Sequence, residues 1–126
     1  MSGGIGSDGA EAAYTRSVVR VLVVDDEPGF ADAAASLLES RDDRIDATAV
    51  ESAAAALDAL SASGFDCVVS DYEMPETDGI ELLDAVRERH GDLPFVLFTG
   101  EGSEAVASRA VSAGVDEYLR KGEASD

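Results

Sequence analysis

Apolar positions along the chain fall into short β-branched runs separated by longer stretches of helical period. Arg20-Val21-Leu22-Val23-Val24 is continuous, as expected for a strand covered on both faces. Pro28 opens a helical stretch to about Ser40, in which Phe30, Ala34, Leu37 and Leu38 are expected to share one face. Asp46 to Val50 predicts a weaker strand at a sheet edge. Ser52 is the expected N-cap of an Ala-rich helix bearing Leu57 and Leu60, closed by Gly64. The alternation then repeats. Asp66 to Ser70 predicts a third strand, and Asp78 caps a helix carrying Ile80, Leu83 and Val86 that ends at Gly91. Pro94 leads into a fourth strand, Phe95 to Phe98. Ser103 caps a helix with Val106 and Val111 that stops at Gly114, and Val115 to Leu119 predicts the fifth strand.

Five strands alternating with four helices predict an α/β fold, a parallel sheet with helices on both faces, doubly wound through right-handed crossovers. After Lys121 only Gly-Glu-Ala-Ser-Asp follows, too short for a closing fifth helix. The expected organisation is a flexible N-terminal arm over 1–17, a single domain over 18–122 and a tail over 123–126, with the fifth helix missing from this chain. Within the arm, Ala10 to Ser17 could form a short helix.

With 126 residues and 45% hydrophobic composition, the chain can bury one core. No run approaches the roughly 18 apolar residues of a membrane helix, and the first dozen residues lack the basic start and apolar centre of a signal peptide. The expectation is a soluble, cytoplasmic chain without membrane contact. Cys67 is the only cysteine and His90 the only histidine, which excludes an internal disulfide, a cysteine zinc cage and a multi-histidine site. Cys67 is read as a small core residue and His90 as the exposed end of a helix. The net charge of −18 argues against nucleic-acid binding, since phosphates would be repelled. Eight arginines accompany a single lysine, Lys121, a balance similar to that of proteins from salt-loving archaea. At molar salt the Debye length falls to about 3 Å, which screens such self-repulsion.

In an open parallel sheet, ligands sit beyond the carboxyl ends of the strands. Here those ends carry Asp25-Asp26-Glu27, Asp71, Thr99-Gly100 and Lys121. Acidic pairs are cheap in a chain with 27 acidic residues, and Asp42-Asp43 is read as a solvated loop. What separates the first set from chance is its placement at successive strand ends. Three crowded carboxylates repel one another, and a hard divalent cation such as Mg²⁺ would neutralise them. Lys121 offers a fixed positive charge and Thr99 a hydroxyl donor for phosphate oxygens, leaving Asp71 as a carboxylate nucleophile. That set suits phosphoryl transfer, yet no Walker-type Gly-rich loop is present, so the donor is expected to come from elsewhere.

These residues resemble the receiver (response-regulator) domain of two-component signalling. Val21-Leu22-Val23-Val24-Asp25-Asp26-Glu27-Pro28 is similar to the family's first strand and acidic pair. Ser70-Asp71-Tyr72-Glu73-Met74-Pro75, with Asp78-Gly79, is similar to its phosphoacceptor loop. Leu97-Phe98-Thr99-Gly100 and Tyr118-Leu119-Arg120-Lys121 resemble its other two signatures, so the likeness spans about 19 to 122. The resemblance implies a flavodoxin-like sheet of order 2-1-3-4-5, with Asp71 phosphorylated by a histidine kinase. It also implies that Asp26 and Asp71 bind Mg²⁺ directly, Asp25 through water and Glu73 through its carbonyl. Lys121 and Thr99 would hold the phosphoryl group, and Thr99 with Tyr118 would carry the switch to an output domain or partner protein. Glu73 and Glu101 fall where the family tunes hydrolysis of the acyl phosphate. Assistance with its own phosphorylation and dephosphorylation aside, such a domain is not an enzyme.

Two departures stand out. The family's Lys-Pro is here Lys121-Gly122, so no cis-proline turn can form there, and the fifth helix is absent, which would leave apolar surface suited to association, including a homodimer. The reading favoured for that absence is excision from a longer protein, and the Phe98-to-Glu104 stretch resembles receivers of archaeal multidomain sensor kinases. The alternatives are a degenerate receiver acting as a protein-binding scaffold and a haloacid-dehalogenase-type phosphatase. The complete acidic, Thr and Lys set speaks against the first. Glu27-Pro28, where the second type needs a further Asp, speaks against the other.

Overall fold

The computed structural model describes residues 17–100 and 104–121. The arm over 1–16, the Ser103 cap, Glu101, Gly122 and the 123–126 tail lie outside the described residues. Five strands, β1 (Val19–Val24), β2 (Ile45–Val50), β3 (Cys67–Ser70), β4 (Phe95–Thr99) and β5 (Glu117–Arg120), form one sheet in the order β2-β1-β3-β4-β5. All neighbouring strands are parallel, with Leu22 opposite Thr48 and Val68, and Leu97 opposite Ser70 and Tyr118. Four helices alternate with them: α1 (Phe30–Arg41), α2 (Ala53–Ala62), α3 (Gly79–His90) and α4 (Glu104–Ala113).

The two-residue alternation of β1 divides the core. Leu22 and Val24 join Val68, Phe95 and Leu97 under α2, α3 and α4, whereas Val21 and Val23 pack with Ala31 and Ala35 of α1. Strands buried on both faces read as continuous apolar runs, which is why β1 and β4 were legible. Ser52 caps α2 through the Ala55 amide. Asp78 caps α3 in a reciprocal capping box with Glu81. On the α1 side the outer strands are covered less, and Leu119 is 39% exposed.

The structure corrects several details. Leu37 is 54% exposed, because α1 is held by the Ala31–Ala35 stripe, about 140° around the helix from Leu37. Val111 is 70% exposed for the same reason, since α4 packs through Val106 and Ala110. β5 begins at Glu117 instead of Val115, because Gly114 takes φ 91° and the Val115 amide still donates to the Ala110 carbonyl. Cys67 is only half-buried; burial first, then the nearby Asp116 and Asp66 charges, raises its thiol pKa, which keeps it protonated and inert. His90 is half-buried at the end of α3, with Nε2 shielded from solvent and without a hydrogen-bond partner.

Candidate functional site

The strand order reverses between β1 and β3, and the carboxyl ends there open into a cleft of about 810 Å³. Asp26, Glu27, Asp71, Glu73, Thr99 and Lys121 are among its lining residues. Parallel pairing brings them together: the Asp25 amide donates to Val50 on one side of β1, and the Asp71 amide donates to Val24 on the other. Asp25 follows β1 and Asp71 follows β3, so adjacent strands deliver two carboxylates to one rim.

Asp25 is 2% exposed and Asp71 9%, both deeper than solvated carboxylates sit. Carboxylate oxygens of Asp25, Asp26 and Asp71 all lie within 4.8 Å of one another. Lys121 Nζ donates to Asp25 Oδ2 at 2.9 Å and lies 3.6 Å from Asp71 Oδ2. Burial would pull the Lys121 ammonium down, but its hydrogen bond to Asp25 and the charges of Asp71 and Asp25 outweigh it and raise its pKa. For Asp71 the balance runs upward, through burial first and the Asp25 charge second, against Lys121, the Thr99 hydroxyl and the Tyr72 amide. That amide donates to Asp71 Oδ1 at 2.8 Å and fixes the carboxyl plane.

The donor set fits a hard divalent cation. Three clustered carboxylates face one ammonium, so a net negative charge remains, and Asp25 Oδ1 also accepts from the Glu27 amide, which holds the acidic turn in shape. Glu73 is exposed at the cleft margin. Tyr118 lies away from the cleft, half-buried against the core under α4, and Thr99 is 1% exposed at the end of β4. Asp42 and Asp43 sit in the α1–β2 turn, where Asp42 pairs with Arg44, so this second acidic pair is a surface feature.

Asp78-Gly79 was legible as part of the loop motif without its packing role, and two further contributors were missed. Gly79 approaches so closely that a Cβ there would run into the Asp71 carbonyl and the Leu97 side chain. Arg109 of α4 donates to the Tyr72 hydroxyl at 2.8 Å and lies 3.8 Å from Asp78, tying α4 to the loop after Asp71. Phe30, expected to share one face of its helix with Ala34, Leu37 and Leu38, sits beneath Lys121, with its ring centroid 4.0 Å from Nζ. Gly79 carried its signal in the Asp78-Gly79 motif; the other two contacts join distant segments.

The family model for the response regulator receiver domain matches residues 21–126. The chain is 37% identical over 101 residues to the transcriptional regulatory protein FixJ of Bradyrhizobium diazoefficiens, covering 80% of this chain and 48% of that protein. It is 36% identical over 116 residues to the sensor histidine kinase GacS of Pseudomonas protegens, covering 88% of this chain and 12% of that protein. The chain thus spans about half or less of these relatives. The crystal structure of a response regulator receiver protein from Pseudomonas putida matches with TM-score 0.77 at 26% identity, over 84% of this chain and 88% of that one.

Proposed function

The chain belongs to the response regulator receiver family, and on that premise we propose that it is a phosphoacceptor, phosphorylated on Asp71 by a histidine kinase and switching conformation to control an output. The observation that carries this reading is Asp71 itself, a nearly buried carboxylate between Lys121 and two further Asp residues at the floor of an open cleft.

In the proposed reaction the Tyr72 amide holds Oδ1, and Oδ2, on the Lys121 side, attacks phosphorus. The new P–O bond forms as the P–N bond of a phosphohistidine breaks, and the imidazole nitrogen leaves with the electron pair. Lys121 faces the developing charge on one phosphoryl oxygen, and the Thr99 hydroxyl, now bonded to Asp71, turns to another. Asp26 and Asp71 would hold Mg²⁺ directly, Asp25 through water and Glu73 through its carbonyl. When bound, the ion neutralises charge on the transferring group.

Capture of the Thr99 hydroxyl by phosphate favours one packing around Tyr118 over another, which is the switch. The reader is an output domain or partner protein, with a homodimer as one form. FixJ is named a transcriptional regulator and GacS a sensor kinase, which supports either setting. Among the described residues no helix is long and apolar enough to cross a membrane, and we place the domain in the cytoplasm, without direct nucleic-acid contact. It is a substrate and switch, with no enzymatic turnover of its own beyond assisting its phosphorylation and dephosphorylation.

The test is incubation with acetyl phosphate in high KCl, with and without Mg²⁺, read by intact mass beside Asp71→Asn. A phosphoryl adduct that requires both Mg²⁺ and Asp71 is the expected result. A folded chain that takes up none would favour the scaffold reading.

A further inference from the structure

Among the described residues, the Lys121 ammonium has three close neighbours. Two are carboxylates, Asp25 at 2.9 Å and Asp71 at 3.6 Å; the third is the face of Phe30, with Nζ 4.0 Å from the ring centroid. Phe30 opens α1 directly after the acidic turn, its amide donating to the Glu27 carbonyl at 3.0 Å, so its place is tied to the same loop that carries Asp25 and Asp26. Its ring also meets Phe98, the residue before Thr99, with centroids 6.4 Å apart and planes at 32°. Phe30 of α1 thus backs the lysine that follows β5, and Phe98 of β4 meets the same ring.

We infer that Phe30 is a positioning residue for Lys121, presenting its ring face so that the ammonium stays directed at Asp71 during phosphoryl transfer. The inference rests on the phosphoacceptor reading above. A lysine on a flexible four-carbon stem needs restraint to act as a fixed charge. A third carboxylate would hold it by a directional hydrogen bond and compete with an incoming phosphoryl oxygen. The ring attracts the cation without a fixed direction, so Nζ can move from Asp25 toward the phosphoryl group and keep its aromatic contact. The ring also excludes water from one side of the ammonium, which strengthens its remaining charge interactions.

The experiment uses the full chain with phenylalanine of increasing fluorination introduced only at position 30, which keeps the shape and drains the ring's negative face. Phe30→Leu and Phe30→Tyr accompany the series. The acetyl phosphate rate at saturating Mg²⁺ is expected to fall stepwise with fluorination and by about fivefold in Phe30→Leu, while Phe30→Tyr stays near wild type. The thermal midpoint and the Mg²⁺ concentration for half-maximal rate are expected to hold across the fluorinated series. A metal-free readout comes from lysine labelling, since Lys121 is the only lysine. Its side-chain protons should be shifted upfield by the Phe30 ring in wild type and not in Phe30→Leu. A flat rate across the fluorinated series in a chain whose wild type is phosphorylated overturns the inference alone, as do unshifted Lys121 protons. A wild type that takes no phosphoryl group overturns the underlying reading and the inference with it.

Discussion

Replacing Asp71 by Asn should stabilise the folded protein at neutral pH when divalent cations are absent. The substitution removes one charge and little else, because an Asn Oδ1 still accepts the Tyr72 amide proton. Carboxylate oxygens within 4.8 Å put the Asp25–Asp71 repulsion at about 3.5 kcal/mol for an effective dielectric near 20. Lys121, 3.6 Å from Asp71 Oδ2, offsets about 4.6 kcal/mol on the same scale. The two nearly cancel, so burial decides the sign, in keeping with a carboxyl raised above its ordinary value of 3.8 by burial and then by Asp25. Ionising Asp71 in the fold therefore carries a net cost, led by its burial. An acid whose folded pKa is raised costs nothing where both states are protonated, below about pH 3.8; the cost grows as pH rises from there through the raised value. Urea unfolding in molar KCl with EDTA should therefore show a higher midpoint for Asp71→Asn at pH 7 with an unchanged slope, and a gain that shrinks toward pH 4. Mg²⁺ should reverse the order, since the wild type offers it one more carboxylate. A variant less stable than wild type at pH 7 in EDTA, or a gain that ignores pH, would refute the reasoning.

Other outcomes follow from single contacts. Gly79→Ala forces a methyl against the Asp71 carbonyl and should cost about 1–3 kcal/mol in denaturant unfolding, with slower phosphorylation because the acceptor loop shifts. Asp78→Ala removes the side-chain half of the α3 capping box, the acceptor for the Glu81 amide, and should cost about 1 kcal/mol, seen as a thermal midpoint lower by roughly 4–8 °C. With a net charge of −18, the wild-type midpoint should rise between dilute buffer and molar KCl by circular dichroism; a flat response would remove the salt-adaptation argument.

The elements were legible because their signals are local. β1 and β4 are apolar runs bounded by Asp or Pro, and Ser52 and Asp78 cap the helices they precede, as side chains within three residues of their targets. The helix faces were read less well: an apolar residue at helical spacing fits several stripes, and the choice among them is made by packing. Ala31 and Ala35 let α1 lie close on the sheet, and that turned Leu37 outward. Boundaries shifted where glycine reversed the chain, as at Gly114 before β5.

By itself, then, the sequence determined the strand ends, and with them which carboxylates, hydroxyl and lysine could meet: in a parallel sheet every carboxyl end faces the same rim. The tertiary structure decided the rest. Parallel pairing of β1 with β3 sets the Asp25–Asp71 spacing, and the reach of Lys121 across 96 residues gives them a shared counter-charge. The packing of α1 puts an aromatic ring under that lysine, and α4 sends Arg109 to Tyr72. These contacts join residues far apart in the chain, where no periodicity or cap connects them, so only the folded backbone brings them within reach.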